Sequence, residues 1–141
     1  MLDIAMYGES SAVTAKDVSD RQDISITYLE QLLSKLKRAG LVKGTRGPGG
    51  GYHLTKPMNQ IRIGDIVRVL EGPIAPVYCL LPKASPKQCD KIARCAMRLL
   101  WKQLGDKMTE VLDSITLKDL KEEAIALQGN KKIKHNFVFN I

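Results

Sequence analysis

Cys79, Cys89 and Cys95 are the only cysteines of the chain, and all lie in one stretch, CLLPKASPKQCDKIARC. Their spacing is C-x9-C-x5-C. A disulfide framework wants an even number of thiols. A tetrahedral zinc site made only of protein wants four ligands. Thiolates are the usual ligands of iron–sulfur clusters, so three on one loop suit a cluster that takes its last ligand from elsewhere. Lys87, Lys91 and Arg94 stand beside them and would offset the charge of an anionic centre. The alternative on spacing alone is three reduced thiols with no shared role.

A second constellation is Arg46 followed by Gly47-Pro48-Gly49-Gly50-Gly51. A phosphate-binding nucleotide loop needs a following helix and a Lys-Ser/Thr pair. Here Tyr52-His53-Leu54 follows, so that reading fails. Leu41 to Arg46, the glycines, and Tyr52 to Thr55 read instead as a hairpin whose tip uses glycine for positive φ. A small, bare tip with Arg46 at its base is how a winged helix offers an arginine to a minor groove. The segment before it completes that pattern. Thr14 and Asp17 form a capping box for a helix reaching about Arg21. Asp23-Ile24-Ser25 reads as a tight turn. A second helix runs from about Thr27 to Ala39, capped by Thr27 with Glu30, with Ser25 as a rival, and Gly40 ends it. Ile26, Leu29, Leu32, Leu33 and Leu36 form its buried stripe. Two short helices joined by a tight turn match a helix-turn-helix.

The remaining elements must position these two groups. Met1 to Tyr7 reads as an apolar helix, and Ile63 to Leu70 as a short one. Residues 72–89 hold four of the six prolines and read as a loop. A long helix is expected from about Asp90 to Ser114, with apolar positions every three or four residues. Thr116 and Asp119 would cap a last helix ending near Gln128. The fold class is therefore mainly α with a small β wing: a winged helix-turn-helix over residues 1–71, a cysteine-bearing loop over 72–95, and a long dimerisation helix with a C-terminal helix over 90–128. The tail, 129–141, has no periodicity and is expected to be flexible.

Bulk properties narrow the function. A net charge of +7 favours a polyanionic partner. No apolar run approaches the roughly 20 residues of a membrane span. The opening MLDIAMYGES lacks a basic secretory n-region, and with an odd cysteine count the expected compartment is a reducing cytoplasm. No catalytic triad pattern or nucleotide loop is present, so an enzyme is not expected.

The segment ISITYLEQLLSKLKRAGLVKGTRGPGGGYHL closely resembles the winged-helix transcriptional repressors of the Rrf-two family, and the likeness runs from residue 1 to about 120. The opening MLDIAMYGES and the later SITLKDL bring it nearest to that family's iron–sulfur cluster regulators. The resemblance implies a homodimer that binds double-stranded DNA at a palindromic operator. It implies that Ser25, Thr27, Tyr28, Glu30 and Gln31 face the major groove while Arg46, Gly47, Pro48 and Gly49 meet the minor groove. Lys35, Lys37, Arg38 and Lys43 would touch phosphates or simply solvate the surface. The long helix, from Leu99 to Ile115, would pair with its copy. The resemblance further implies a 2Fe–2S cluster held by Cys79, Cys89 and Cys95. The family's fourth ligand is a histidine three residues after the last cysteine, and here that position is Arg98, which has no lone pair to give. Asp3, Glu9 and Asp90 are poor substitutes by position, His53 belongs to the wing, and His135 to the tail. The fourth ligand is therefore open. The alternative within the family is a thiol-based or partner-controlled repressor of cysteine metabolism without a cluster.

Overall fold

Side-chain oxygens set where the helices begin. The computed structural model describes residues 1–9, 11–85, 87 and 89–129. The Thr14 hydroxyl accepts from the Asp17 amide at 3.0 Å, and the Asp17 carboxylate accepts from the Thr14 amide at 3.1 Å. This box starts α2, Ala15–Gln22. Asp23 then takes a left-handed φ of 52° and turns the chain. The next cap is Ser25, whose hydroxyl accepts from the Tyr28 amide, and it starts α3, Ile26–Arg38. The expected Thr27–Glu30 box does not form. Ser25 satisfies an orphan amide two residues earlier, which places Thr27 inside the first turn. Gly40, at φ 69°, lets the chain leave α3.

Ahead of these lies α1, Leu2–Tyr7, which buries Ile4 and Ala5. It also buries Asp3, which is tolerable only because the acid is fully partnered. Arg21 grips it bidentately, Nη2 to Oδ1 at 2.6 Å and Nε to Oδ2 at 3.0 Å, and Gln22 Nε2 donates to it at 3.2 Å. The same guanidinium lies 4.3 Å from the Tyr7 ring centroid. α1 is thereby fastened to the last turn of α2.

The wing is β1, Val42–Thr45, paired antiparallel with β2, Gly51–Leu54, with Val42 opposite Leu54 and Lys43 opposite His53. Val13 extends this sheet by one bridge, exchanging two backbone bonds with Tyr52 at 2.8 and 3.1 Å. The tip is closed by Gly50 N donating to Gly47 O at 2.8 Å, with Gly47 and Gly49 at φ 98° and 75°.

After a 3-10 turn at Met58–Gln60 comes α4, Ile63–Glu71. The proline-rich connection that follows contains one 3-10 turn, Tyr78–Leu80. α5 is Ala96–Ser114 and α6 is Leu117–Gln128. The long helix thus starts at Ala96, not at Asp90. Residues 90–95 close short turns instead, with Ile92 N donating to Cys89 O and Arg94 N to Lys91 O. Only Ile92 in that run offers a large apolar side chain, and a helical turn without a packed face is marginal in water. α6 returns the chain to the winged domain. Leu117 is 1% exposed and joins Ile4, Leu33, Val42 and Ile61 in a single core. The expected tail lies outside the described residues beyond Gly129.

The Thr116 hydroxyl accepts from the Asp119 amide at 3.2 Å and caps α6. Hydrogen bonds from the Thr116 side chain and backbone hold the Asp119 carboxyl below its usual value. A depressed carboxyl contributes stability above its unfolded-state value and loses it as pH falls through the folded one. Thr116→Ala is expected to cost about 1 kcal/mol in urea unfolding at neutral pH. The gap from the wild type should shrink when the same titration is run in acid.

Candidate nucleic-acid interface and cysteine loop

α3 divides cleanly. Leu29, Leu33 and Leu36 are buried, while Thr27, Tyr28, Glu30, Gln31, Lys37 and Arg38 are exposed. Ser25 is exposed too, and its hydroxyl accepts from Tyr28, which leaves its own proton free to donate. Ile26, expected in the buried stripe, is 44% exposed because it opens the helix beyond the edge of the core. Arg46, Gly47, Pro48 and Gly49 are all exposed at the tip of the wing. Among the described residues the Arg46 guanidinium has no hydrogen bond or ion pair, so its donors are free for a ligand.

Lys35 has a different use from the one expected. Its ammonium donates to the Leu70 carbonyl at 2.9 Å, where α4 runs out of intrahelical donors. It fastens α3 to the end of α4. Sequence spacing carries no sign of this, because the partner is a backbone atom far along the chain.

α4 and α5 meet closely at Gly64 and Asp113. A Cβ on Gly64 would lie 1.8 Å from Asp113 Oδ1, so any side chain there would displace the Asp113 carboxylate from its seat. Asp113 Oδ2 accepts from Arg68 Nη2 at 2.5 Å, and Arg68 Nη1 reaches Asp65 at 3.2 Å. Asp113 Oδ1 is buried against the glycine with no hydrogen-bond partner among the described residues.

The three cysteines are free and half-buried. Cys79 lies in the Tyr78–Leu80 turn, Cys89 in the loop, and Cys95 is the N-cap residue of α5. Cys95 is thus at the mouth of the helix and not inside it. Arg98, in the first turn of α5, donates from Nε to the Cys79 carbonyl at 3.2 Å. Pro76 packs on Gly105, where a Cβ would sit 3.1 Å from its Cδ. The loop is therefore laid along α5.

The thiols have the chemistry of cluster ligands, but this arrangement does not fit a closed cluster site. Among the described residues no three of His, Cys, Asp or Glu stand close enough to hold a metal ion. Arg98 cannot be a fourth ligand. Asp3 is held by Arg21, Glu9 is ion-paired with Lys121, Asp90 is exposed, and His53 sits on β2. His135 lies outside the described residues.

The other face of α5 is bare. Met97, Leu99, Leu100, Leu104 and Met108 are between 41% and 65% exposed, while Gly105 of the same helix is buried. An apolar band of this length on one helix is more than scattered surface residues. Among the described residues no helix is long and apolar enough to cross a membrane.

The family described as Rrf2, iron-dependent transcriptional regulator, matches residues 1–123. The chain is 39% identical over 120 residues to the HTH-type transcriptional regulator IscR of Pectobacterium atrosepticum, covering 85% of this chain and 71% of that protein. Among solved structures it is similar to CymR, the global cysteine regulator of B. subtilis, with 40% identity and a TM-score of 0.68 over 86% of this chain and 87% of that one. It is also similar to T. potens IscR, with 35% identity and a TM-score of 0.71 over 90% and 81%.

Since the thiols are free, separate and half-buried, metal-free folded protein is expected to release three equivalents of thionitrobenzoate from Ellman's reagent without denaturant. Protection of any thiol until urea is added would show that the cysteines are sequestered.

Proposed function

The chain belongs to the Rrf2 family of transcriptional regulators, and from that premise we propose that it works as a two-fold dimer reading a palindromic operator. It is a DNA-binding regulator and not an enzyme, as its relatives are. The observation that carries the reading is the exposed polar face of α3 together with a glycine tip whose arginine has no partner among the described residues. Gln31 can bond adenine bidentately, and the hydroxyls of Ser25 and Thr27 reach phosphates or base edges. Tyr28 adds a phenol at the same face. Glu30 accepts from a cytosine amino group and repels phosphate elsewhere, which sharpens discrimination. Arg46, carried on the bare tip of Gly47, Pro48 and Gly49, suits a narrow minor groove. A single such domain buries too little for tight binding, and the uncovered stripe of α5 supplies the surface for a second copy.

The input is the segment bearing Cys79, Cys89 and Cys95. The family's iron dependence and the resemblance to its iron–sulfur regulators support a 2Fe–2S cluster on these three residues. A second reading, control by thiol oxidation or by a partner protein, is supported by the open arrangement of the thiols and by Arg98 at the ligand position. Anaerobic purification with visible spectroscopy and iron and sulfide analysis separates them. Brown protein with matched iron and sulfide selects the cluster. Colourless protein that resists reconstitution selects the thiol.

Duplexes selected from a random pool give the operator. On that duplex Arg46→Ala is expected to weaken binding by about tenfold, and Lys37→Ala to lower the salt slope by about one. Leu100→Asp with Leu104→Asp should sediment as a monomer and lose cooperative operator binding. A variant that remained dimeric would remove α5 from the interface.

A further inference from the structure

We propose that Arg98 is a positioning residue that couples the Cys79 turn to the start of α5 without any metal. The inference rests on reading the cysteine segment as the input of a DNA-binding regulator. The family's cluster regulators place a ligand at this position, and this chain places a donor there that cannot be a ligand. The structure shows what the donor does instead. Arg98 Nε donates to the Cys79 carbonyl at 3.2 Å, in a partly buried site. Its own amide donates to the Cys95 carbonyl at 3.1 Å. One residue thus holds the backbones of the first and last cysteines, and it does so through peptide carbonyls, which leaves both thiols unused.

Two further observations favour a dedicated contact. Arg98 stands in the first turn of α5, where a cation opposes the helix dipole, so the position is not one that helix preference would select. The neighbourhood is already cationic, with Lys87, Lys91 and Arg94 all exposed. Adding another charge there is unfavourable unless it is used. The bond runs to a peptide carbonyl and not to a thiol, so the coupling does not depend on the redox state of the thiols. Pro76 on Gly105 presses the same loop on α5 about two turns further along the same face. Metal-free protein therefore keeps the loop and helix in register, and an event at Cys79 acts on α5 through this bond.

The test uses the full chain, metal-free and anaerobic. Alkylation of each cysteine by iodoacetamide is followed by mass spectrometry in the wild type, Arg98→Ala and Arg98→Lys. In Arg98→Ala the rate at Cys79 should rise by about threefold to tenfold relative to Cys89, with an unchanged unfolding midpoint. Arg98→Lys, which can still donate to a carbonyl, should restore much of the protection. An unchanged ratio of Cys79 to Cys89 overturns the proposal, and so does an equal rise at all three cysteines, which marks general loosening. Should Arg98→Ala fail to fold, Arg98→Met, which keeps the bulk but has no hydrogen-bond donor, takes its place and must raise the same ratio. Binding to the selected duplex is measured on the same samples. Wild-type protein that binds no duplex defeats the regulator reading, while the alkylation ratio still judges Arg98 by itself.

Discussion

Everything beyond the wing depends on one short backbone pairing. Ile63 N donates to Ile115 O at 3.0 Å and Leu117 N to Ile61 O at 2.9 Å, so the bend between α5 and α6 is bonded to the entry of α4. Ile61 and Leu117 flank it, both almost wholly buried. Arg62 Nη1 adds a long bond of 3.5 Å to the Ser114 carbonyl. Buried backbone groups must find partners, and here the partners come from segments more than fifty residues apart. The winged domain therefore cannot be completed without the end of α5, and α5 cannot leave the domain in more than one direction.

That fixed exit makes α5 a strut with two attachments. Near its C-terminal end Asp113 holds Arg68 and presses a bare carboxylate oxygen on Gly64. An unpartnered buried oxygen costs on the order of 1–3 kcal/mol, and the bidentate use of Arg68 across Asp65 and Asp113 offsets part of it. At its N-terminal end Arg98 holds the cysteine loop, and Pro76 of the same loop lies on Gly105 at mid-helix. The two attachments sit at opposite ends of a helix of 19 residues, so chemistry in the loop and the posture of the reading domain share one rigid element.

Local signals in the sequence were reliable wherever the physics was local. The Thr14 and Thr116 boxes, the Gly40 exit and the glycine tip depend on residues within a few positions of one another, and each is found in place. The cap of α3 was ambiguous for the same reason, since Ser25 and Thr27 are both good acceptors two residues apart. What could not be read is what depends on distant backbone. Lys35, open to either phosphate contact or plain solvation, serves the Leu70 carbonyl instead. Asp90 to Cys95 has a helical pattern but nothing large to pack against, so the first turns of the long helix are absent. Clustering of the cysteines in sequence did not bring them together in space.

The bond from Lys35 to the Leu70 carbonyl has a wider meaning for recognition. With Leu29, Leu33 and Leu36 packed inward and its last turn fastened to α4, α3 has no independent axis on which to swivel. A reading head this stiff cannot adjust itself to a poor site. The duplex must do the bending, and its sequence-dependent elasticity becomes part of the code. Operators would then be ranked by how readily they deform, including at base pairs the protein never touches.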